Sequence, residues 1–95
     1  MPRMPPKIED HARDAAQADL EKRMAQGKVS VGAALREIRQ RFVGITLEDY
    51  ARLCGLSKTT LMHIERDDPR VMLDSVKKAL KPLGYQLSLV PAEDL

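Results

Sequence analysis

Residues 48–66 read EDYARLCGLSKTTLMHIER, two runs with apolar residues at helical spacing and a single glycine, Gly55, between them. Tyr50, Ala51 and Cys54 share one stripe of the first run, and Leu61 and Ile64 share one stripe of the second. Gly55 permits the positive φ that ends a helix, and Ser57 offers a hydroxyl oxygen to the orphan N–H groups that begin the next. The stretch therefore predicts a helix over 47–54, a tight turn, and a second helix running to Ile64 or Glu65. Two helices joined so closely have the geometry in which the second one can lie in the major groove of DNA.

Upstream, Gly44 interrupts the chain, and Thr46 followed three residues later by Asp49 resembles a capping box with the shorter acid in place of glutamate. Ser30 is placed to cap an earlier helix in which Val31, Ala34, Leu35, Ile38 and Phe42 keep the spacing of a buried face, with Arg36, Arg39 and Arg41 pointing elsewhere. The opening MPRMPPKIED has three prolines in its first six residues, which exclude regular helix until after Pro6. From Lys7 to Gln26, the residues Ile8, Ala12, Ala15, Ala16, Leu20 and Met24 fall near one stripe, and Gly27 supplies a stop. That face is largely alanine and buries little by itself. The helix either packs on the domain or a partner, or stands as a solvated extension.

Downstream, the DDP run at 67–69 is turn chemistry, because Pro69 biases Asp68 away from helix. A further helix is expected to carry Leu73, Val76, Leu80 and Leu83 inward and Lys77, Lys78 and Lys81 outward, with Pro82 weakening its last turn and Gly84 ending it. YQLSLV at 85–90 then switches to period two, with Tyr85, Leu87 and Leu89 on one face, and reads as a strand. A lone strand leaves its N–H and C=O groups unpaired. The expectation is a homodimer in which Tyr85, Leu87 and Leu89 of two copies meet in a shared ribbon. The chain divides into a partly helical extension at 1–30, a helix-turn-helix domain at 31–84, and a dimerisation strand and tail at 85–95.

Composition supports a mostly α reading. Apolar residues make up 43% of the chain and aromatic residues only 3%, with no Trp, which suits a small Ala/Leu/Ile-rich helical core. With 95 residues the chain makes one domain that buries only about two thirds of its unfolded surface, too little for a deep catalytic cleft. The net charge of +2 is mildly basic without dense Lys/Arg blocks. Cys54 is the sole cysteine, so no intramolecular disulfide forms, and no apolar span is long enough for a membrane; a cytoplasmic location is expected. One cysteine and the distant His11 and His63 offer no metal-site spacing, and no glycine-rich loop suits a phosphate. No enzyme and no cofactor is expected.

The pattern Thr46, Ala51, Gly55, Leu56, Ser57, Leu61, Ile64 and Glu65 closely resembles the bacterial and phage repressors of the lambda and Cro type, the XRE family, over roughly residues 32–84. The following LGYQLSLV is similar to the C-terminal segment of HipB-like antitoxins, whose strands pair across the dimer. The resemblance implies a lambda-repressor-like domain that binds double-stranded DNA. About 100° per residue puts Lys58, Thr59, Met62 and Arg66 on one side of the second helix, with His63 at the edge of that group and Thr60, Leu61 and Ile64 opposite. In the family, the slots matching Lys58, Thr59 and His63 approach base edges, and Met62 beside them is a candidate for a thymine methyl. Thr46, Ser57, Thr60, Arg66 and Arg70 are candidates for phosphates.

Two positions depart from the family. Leu47 stands where a glutamine usually braces the reading helix and touches a phosphate. Gln40 sits at the simplest gap-free match for an arginine that pairs with the glutamate at Glu65, so Arg39 or Arg41 has to serve after a local shift. The resemblance implies a repressor that reads an inverted repeat with one helix per half-site, about 34 Å apart. In narrower form it implies an antitoxin that represses its own operon and binds a toxin. A stand-alone regulator of a mobile element or prophage is the alternative. Leu47 and Leu53, apolar at slots usually polar, point to a third reading, a protein-interaction module that has lost DNA binding.

Overall fold

Ser30, Thr46 and Ser57 each begin a helix in the computed structural model, which describes residues 4–92; their side-chain oxygens accept from the N–H groups of Ala33, Asp49 and Thr60. Pro2 of the proline-rich opening and the last three residues of the tail lie outside the described residues. Helix α1 spans Asp10–Ala25, α2 spans Val31–Glu37 and continues into a π-helical segment Ile38–Val43, α3 spans Leu47–Cys54, α4 spans Lys58–Glu65, and α5 spans Leu73–Leu80 and ends in a 3₁₀ turn Lys81–Leu83. Gly44 and Gly55 close the π segment and α3 at φ 72° and 73°, the left-handed conformation that glycine adopts without steric cost.

Helices α2 to α5 bury Leu35, Tyr50, Ala51, Leu61, Ile64, Val76, Ala79 and Leu80 as one core. The Tyr50 hydroxyl, deep inside, donates to the Ala79 carbonyl and so ties α3 to α5. A second cluster joins Leu20 of α1 to Ala34, Ile38 and Phe42. Of the two readings open for the N-terminal helix, packing on the domain is what the structure shows. Leu20 is 1% exposed, a burial that stabilises by about 1.5–3 kcal/mol. Arg23 donates to Glu37 at 2.7 Å and to Asp19 at 3.0 Å, and Arg13 donates to the Phe42 carbonyl at 2.9 Å with its guanidinium over the Phe42 ring. Leu20, with Ala16 and Met24 partly buried beside it, and two arginines thus dock α1 on the domain.

Three expectations need correction. The helix begun by Ser30 does not run straight to Phe42, because its second half takes the wider π geometry. Leu73 is 61% exposed: it occupies the first position of α5, at the open end of the stripe that Val76, Ala79 and Leu80 bury. Residues 85–90 form no strand, and none is present among the described residues. A strand needs a hydrogen-bonded neighbour, and a single chain offers this segment none. Tyr85 and Leu87 instead lie half-buried against the domain's own core, while Leu89 is 98% exposed.

Candidate nucleic-acid interface

Helix α4 is anchored from the inside. Leu61 and Ile64 are sealed in the core, and Glu65 accepts from Arg39 through two bonds, Nε to Oε2 at 2.7 Å and Nη2 to Oε1 at 3.0 Å. Arg39 Nη1 also donates to the Ile45 carbonyl at 2.8 Å. The π segment explains why Arg39 has this role and not Gln40. It adds one residue to the turn, so the position facing Glu65 moves back by one along the chain. Arg39, placed by its spacing on an outward face, is therefore one of the two buried charged side chains among the described residues.

Two further contacts lock α4 against α2. Gly32 approaches so closely that a Cβ there would lie 2.3 Å from the Ile64 carbonyl oxygen. Just past α4, Asp67 sits at φ 58°, a left-handed conformation that Asp tolerates better than most residues, and its carboxylate accepts from the Gly32 N–H at 2.8 Å and the Ser30 hydroxyl at 2.6 Å. The carboxylate thereby covers the positive end of α2.

On the outer side, Lys58 and Thr59 are exposed at the N-terminus of α4, and Met62 and His63 are half-buried one turn further on. Lys58 Nζ lies 2.9 Å from Glu48 Oε1, and this hydrogen bond holds the Glu48 carboxyl below the usual carboxylate range. The Ser57 hydroxyl donates to Thr60 Oγ1 at 2.8 Å while accepting from the Thr60 N–H. Arg70 is held by Asp68, whose carboxyl its hydrogen bonds pull down to about 2, and Asp68 also lies 3.8 Å from His63 Nδ1. Thr46, Lys58 and Arg66 line one cleft, and Met62 and Arg66 line the hollow that adjoins it. The fold does not bring Tyr85, Leu87 and Leu89 to this face. Tyr85 and Leu87 border an apolar groove with Met24, Val31 and Val90.

Burial raises both the Tyr50 phenol and the Cys54 thiol above their ordinary values, which favours their neutral forms. Among the described residues no group of three or more His, Cys, Asp or Glu side chains is placed to hold a metal ion. Leu47 and Leu53 do not make one exposed patch, because Leu47 packs on the core while Leu53 is 63% exposed.

A capped helix, a left-handed glycine turn and a second capped helix, held by a buried Arg–Glu pair, form a complete helix-turn-helix. The chain matches the model of the helix-turn-helix family HTH_3 over residues 35–90, more than half its length. It belongs to that family. Neither a curated protein nor a solved structure matches the chain. As an HTH_3 protein with a domain of the lambda and Cro type, it is a DNA-binding regulator. The HTH_3 match runs from α2 through α5 into the tail, leaving α1 outside it. No described helix is long and apolar enough to cross a membrane. Spacing alone missed Glu48 as the partner of Lys58 and Asp67 as the latch on α2. The misfit of Gln40 was the one available signal of the π segment.

Proposed function

We propose that the protein is a homodimeric repressor of its own promoter that reads an inverted repeat, inserting α4 of each copy into successive major grooves about 34 Å apart. The observation that carries this reading is the two-sidedness of α4. Its inner side is immobilised by Leu61, Ile64 and the Arg39–Glu65 pair, while Lys58, paired with Glu48, and Thr59 are exposed on its outer side. Base reading needs such rigid support, since a side chain must be held close to its productive geometry. Lys58 donates to guanine O6 and N7, Thr59 meets a thymine methyl, Met62 packs on a second methyl, and His63 makes one hydrogen bond. Thr46, Ser57, Thr60, Arg66 and Arg70 set register on phosphates.

Dimerisation falls to the tail. In a second copy the segment around Leu89 finds the backbone partner it lacks here, and the two tails pair as a ribbon that covers Leu89 and Val90, 98% and 66% exposed in the single chain. A narrower reading, an antitoxin that also binds a toxin, is favoured by the exposed apolar side chains of Leu53, Met72 and Leu73.

Fluorescence anisotropy of labelled DNA from upstream of the protein's own gene, beside a scrambled duplex, tests the main reading. Tight, salt-sensitive preference for the native duplex that disappears in the Lys58→Ala/Thr59→Ala double variant is expected. Equal, weak binding to both duplexes counts against autoregulation and moves the weight to a protein-interaction module.

A further inference from the structure

Asp68 lies beyond the end of α4 and is folded back onto His63. The Asp67 N–H donates to the Ile64 carbonyl at 3.0 Å and the Asp68 N–H to the His63 carbonyl at 3.0 Å, with Asp67 left-handed at φ 58°. These are the bonds of a Schellman closure, which here returns the chain to the last turn of α4. The Asp68 carboxylate is then fixed atom by atom. Its Oδ1 accepts from the Arg70 N–H at 2.8 Å and from Arg70 Nε at 3.1 Å, and its Oδ2 accepts from Arg70 Nη2 at 2.9 Å. Oδ2 also lies 3.8 Å from His63 Nδ1. With its carboxyl held down to about 2 by the Arg70 bonds, Asp68 is ionised at neutral pH. A neutral imidazole carries one N–H, and a carboxylate beside Nδ1 favours the proton on that nitrogen. Nε2, at the far end of the ring, has no hydrogen-bond partner among the described residues and keeps its lone pair.

We propose that Asp68 is a positioning residue that sets base specificity: it holds His63 as the Nδ1–H tautomer, so that Nε2 accepts from an exocyclic amine, adenine N6 or cytosine N4, in the major groove. The inference rests on α4 reading bases and decides which hydrogen bond His63 makes there. Asp68→Asn reverses it, because the surroundings dictate how the new amide sits. Two Arg70 donors keep the amide oxygen at the Oδ1 position, which puts the NH2 in place of Oδ2, facing Nδ1. A donor at Nδ1 moves the ring proton to Nε2, and His63 changes from acceptor to donor.

Imidazole nitrogen NMR of the full chain, recorded where the ring is neutral, reads the tautomer without DNA; the His63 signals are those lost in His63→Gln. The Nδ1–H form is expected in the parent and the Nε2–H form in Asp68→Asn. Sequencing the duplexes retained from a random-sequence pool reads the base. At one position of its motif the parent is expected to prefer adenine or cytosine, and Asp68→Asn guanine or thymine, by about fivefold each way. Losing a negative charge strengthens binding to every duplex alike, so preference and not affinity is the readout. Adding Asp68→Asn to His63→Gln leaves the motif of His63→Gln unchanged, since glutamine carries donor and acceptor whatever faces it. An Nε2–H parent, or a tautomer that Asp68→Asn does not move, overturns the positioning role even where the parent selects a motif. A moved tautomer with an unmoved motif, or a motif shift that persists in the His63→Gln background, overturns the specificity role. A parent that selects no motif sinks base reading by α4, and the inference with it, whichever tautomer the ring adopts.

Discussion

Arg39 and Glu65 meet in a two-pronged ion pair whose side chains are 5% and 6% exposed, joining the π segment to the last residue of α4. Removing one partner strands the other charge in the core. Arg39→Ala is therefore expected to cost about 3–5 kcal/mol, whereas Arg39→Met combined with Glu65→Leu keeps most of the stability because no lone charge remains. Urea unfolding at unchanged m-value reads both. A loss below about 1 kcal/mol in Arg39→Ala would show that the pair is not sealed from water.

Gly32 lies inside α2, where alanine is ordinarily the better helix former by up to about 1 kcal/mol. Here the sign reverses, because the new Cβ would press on the Ile64 carbonyl, a backbone group that cannot rotate away. Gly32→Ala is expected to destabilise by about 1–3 kcal/mol, the range for overpacking. A thermal melt at or above that of the parent would contradict the close approach of α2 and α4.

Glu48 pairs with Lys58, the lysine proposed to read bases, and would compete with DNA for it. Glu48→Gln removes a negative charge from the DNA face and releases Lys58, so affinity for DNA should rise a few-fold at low salt and the gain should fade as salt rises. The melting temperature should hardly move, since exposed pairs contribute little. Weaker binding in Glu48→Gln would mean that the pair positions Lys58 for the base.

Asp68 titrates at about 2 because its carboxylate accepts from the Arg70 side chain and N–H. The folded value lies below that of the unfolded chain, so the contribution is complete above about 4 and is lost as pH falls through about 2. Carboxyl-carbon NMR should find Asp68 titrating at that low value and, in Arg70→Ala, moving up toward the ordinary range. An unmoved titration would assign the shift to other groups.

Leu87 and Leu89 separate the folded domain from the proposed dimer. Leu87 packs on the chain's own core and Leu89 does not, so Leu87→Lys is expected to lower the melting temperature, whereas Leu89→Lys leaves the monomer folded and abolishes the ribbon. Sedimentation equilibrium decides it. A Leu89→Lys protein that still sediments as a dimer would rule out tail pairing.

Elements set by neighbours in the chain were legible in the sequence. Ser30, Thr46 and Ser57 cap the helices they precede, and Gly44 and Gly55 end those they follow, because caps and left-handed turns act over three or four residues. The outer face of α4 followed from helical periodicity in the same way. The tail, expected as a strand, forms none in the single chain for the complementary reason: period two fixes which side chains share a face, while a strand exists only when another backbone meets it.

By itself, then, the sequence determined a capped helix-turn-helix with Lys58 and Thr59 leading its second helix, since each of those features is local. Only the tertiary structure decided that Arg39 pairs with Glu65 across 26 residues, that Asp67 reaches back 35 residues to Gly32, and that Leu20 docks α1 on the domain. One extra residue in a π turn changes which arginine is buried without changing any spacing around it. Such contacts depend on how helices cross, and periodicity within a helix carries no record of the crossing.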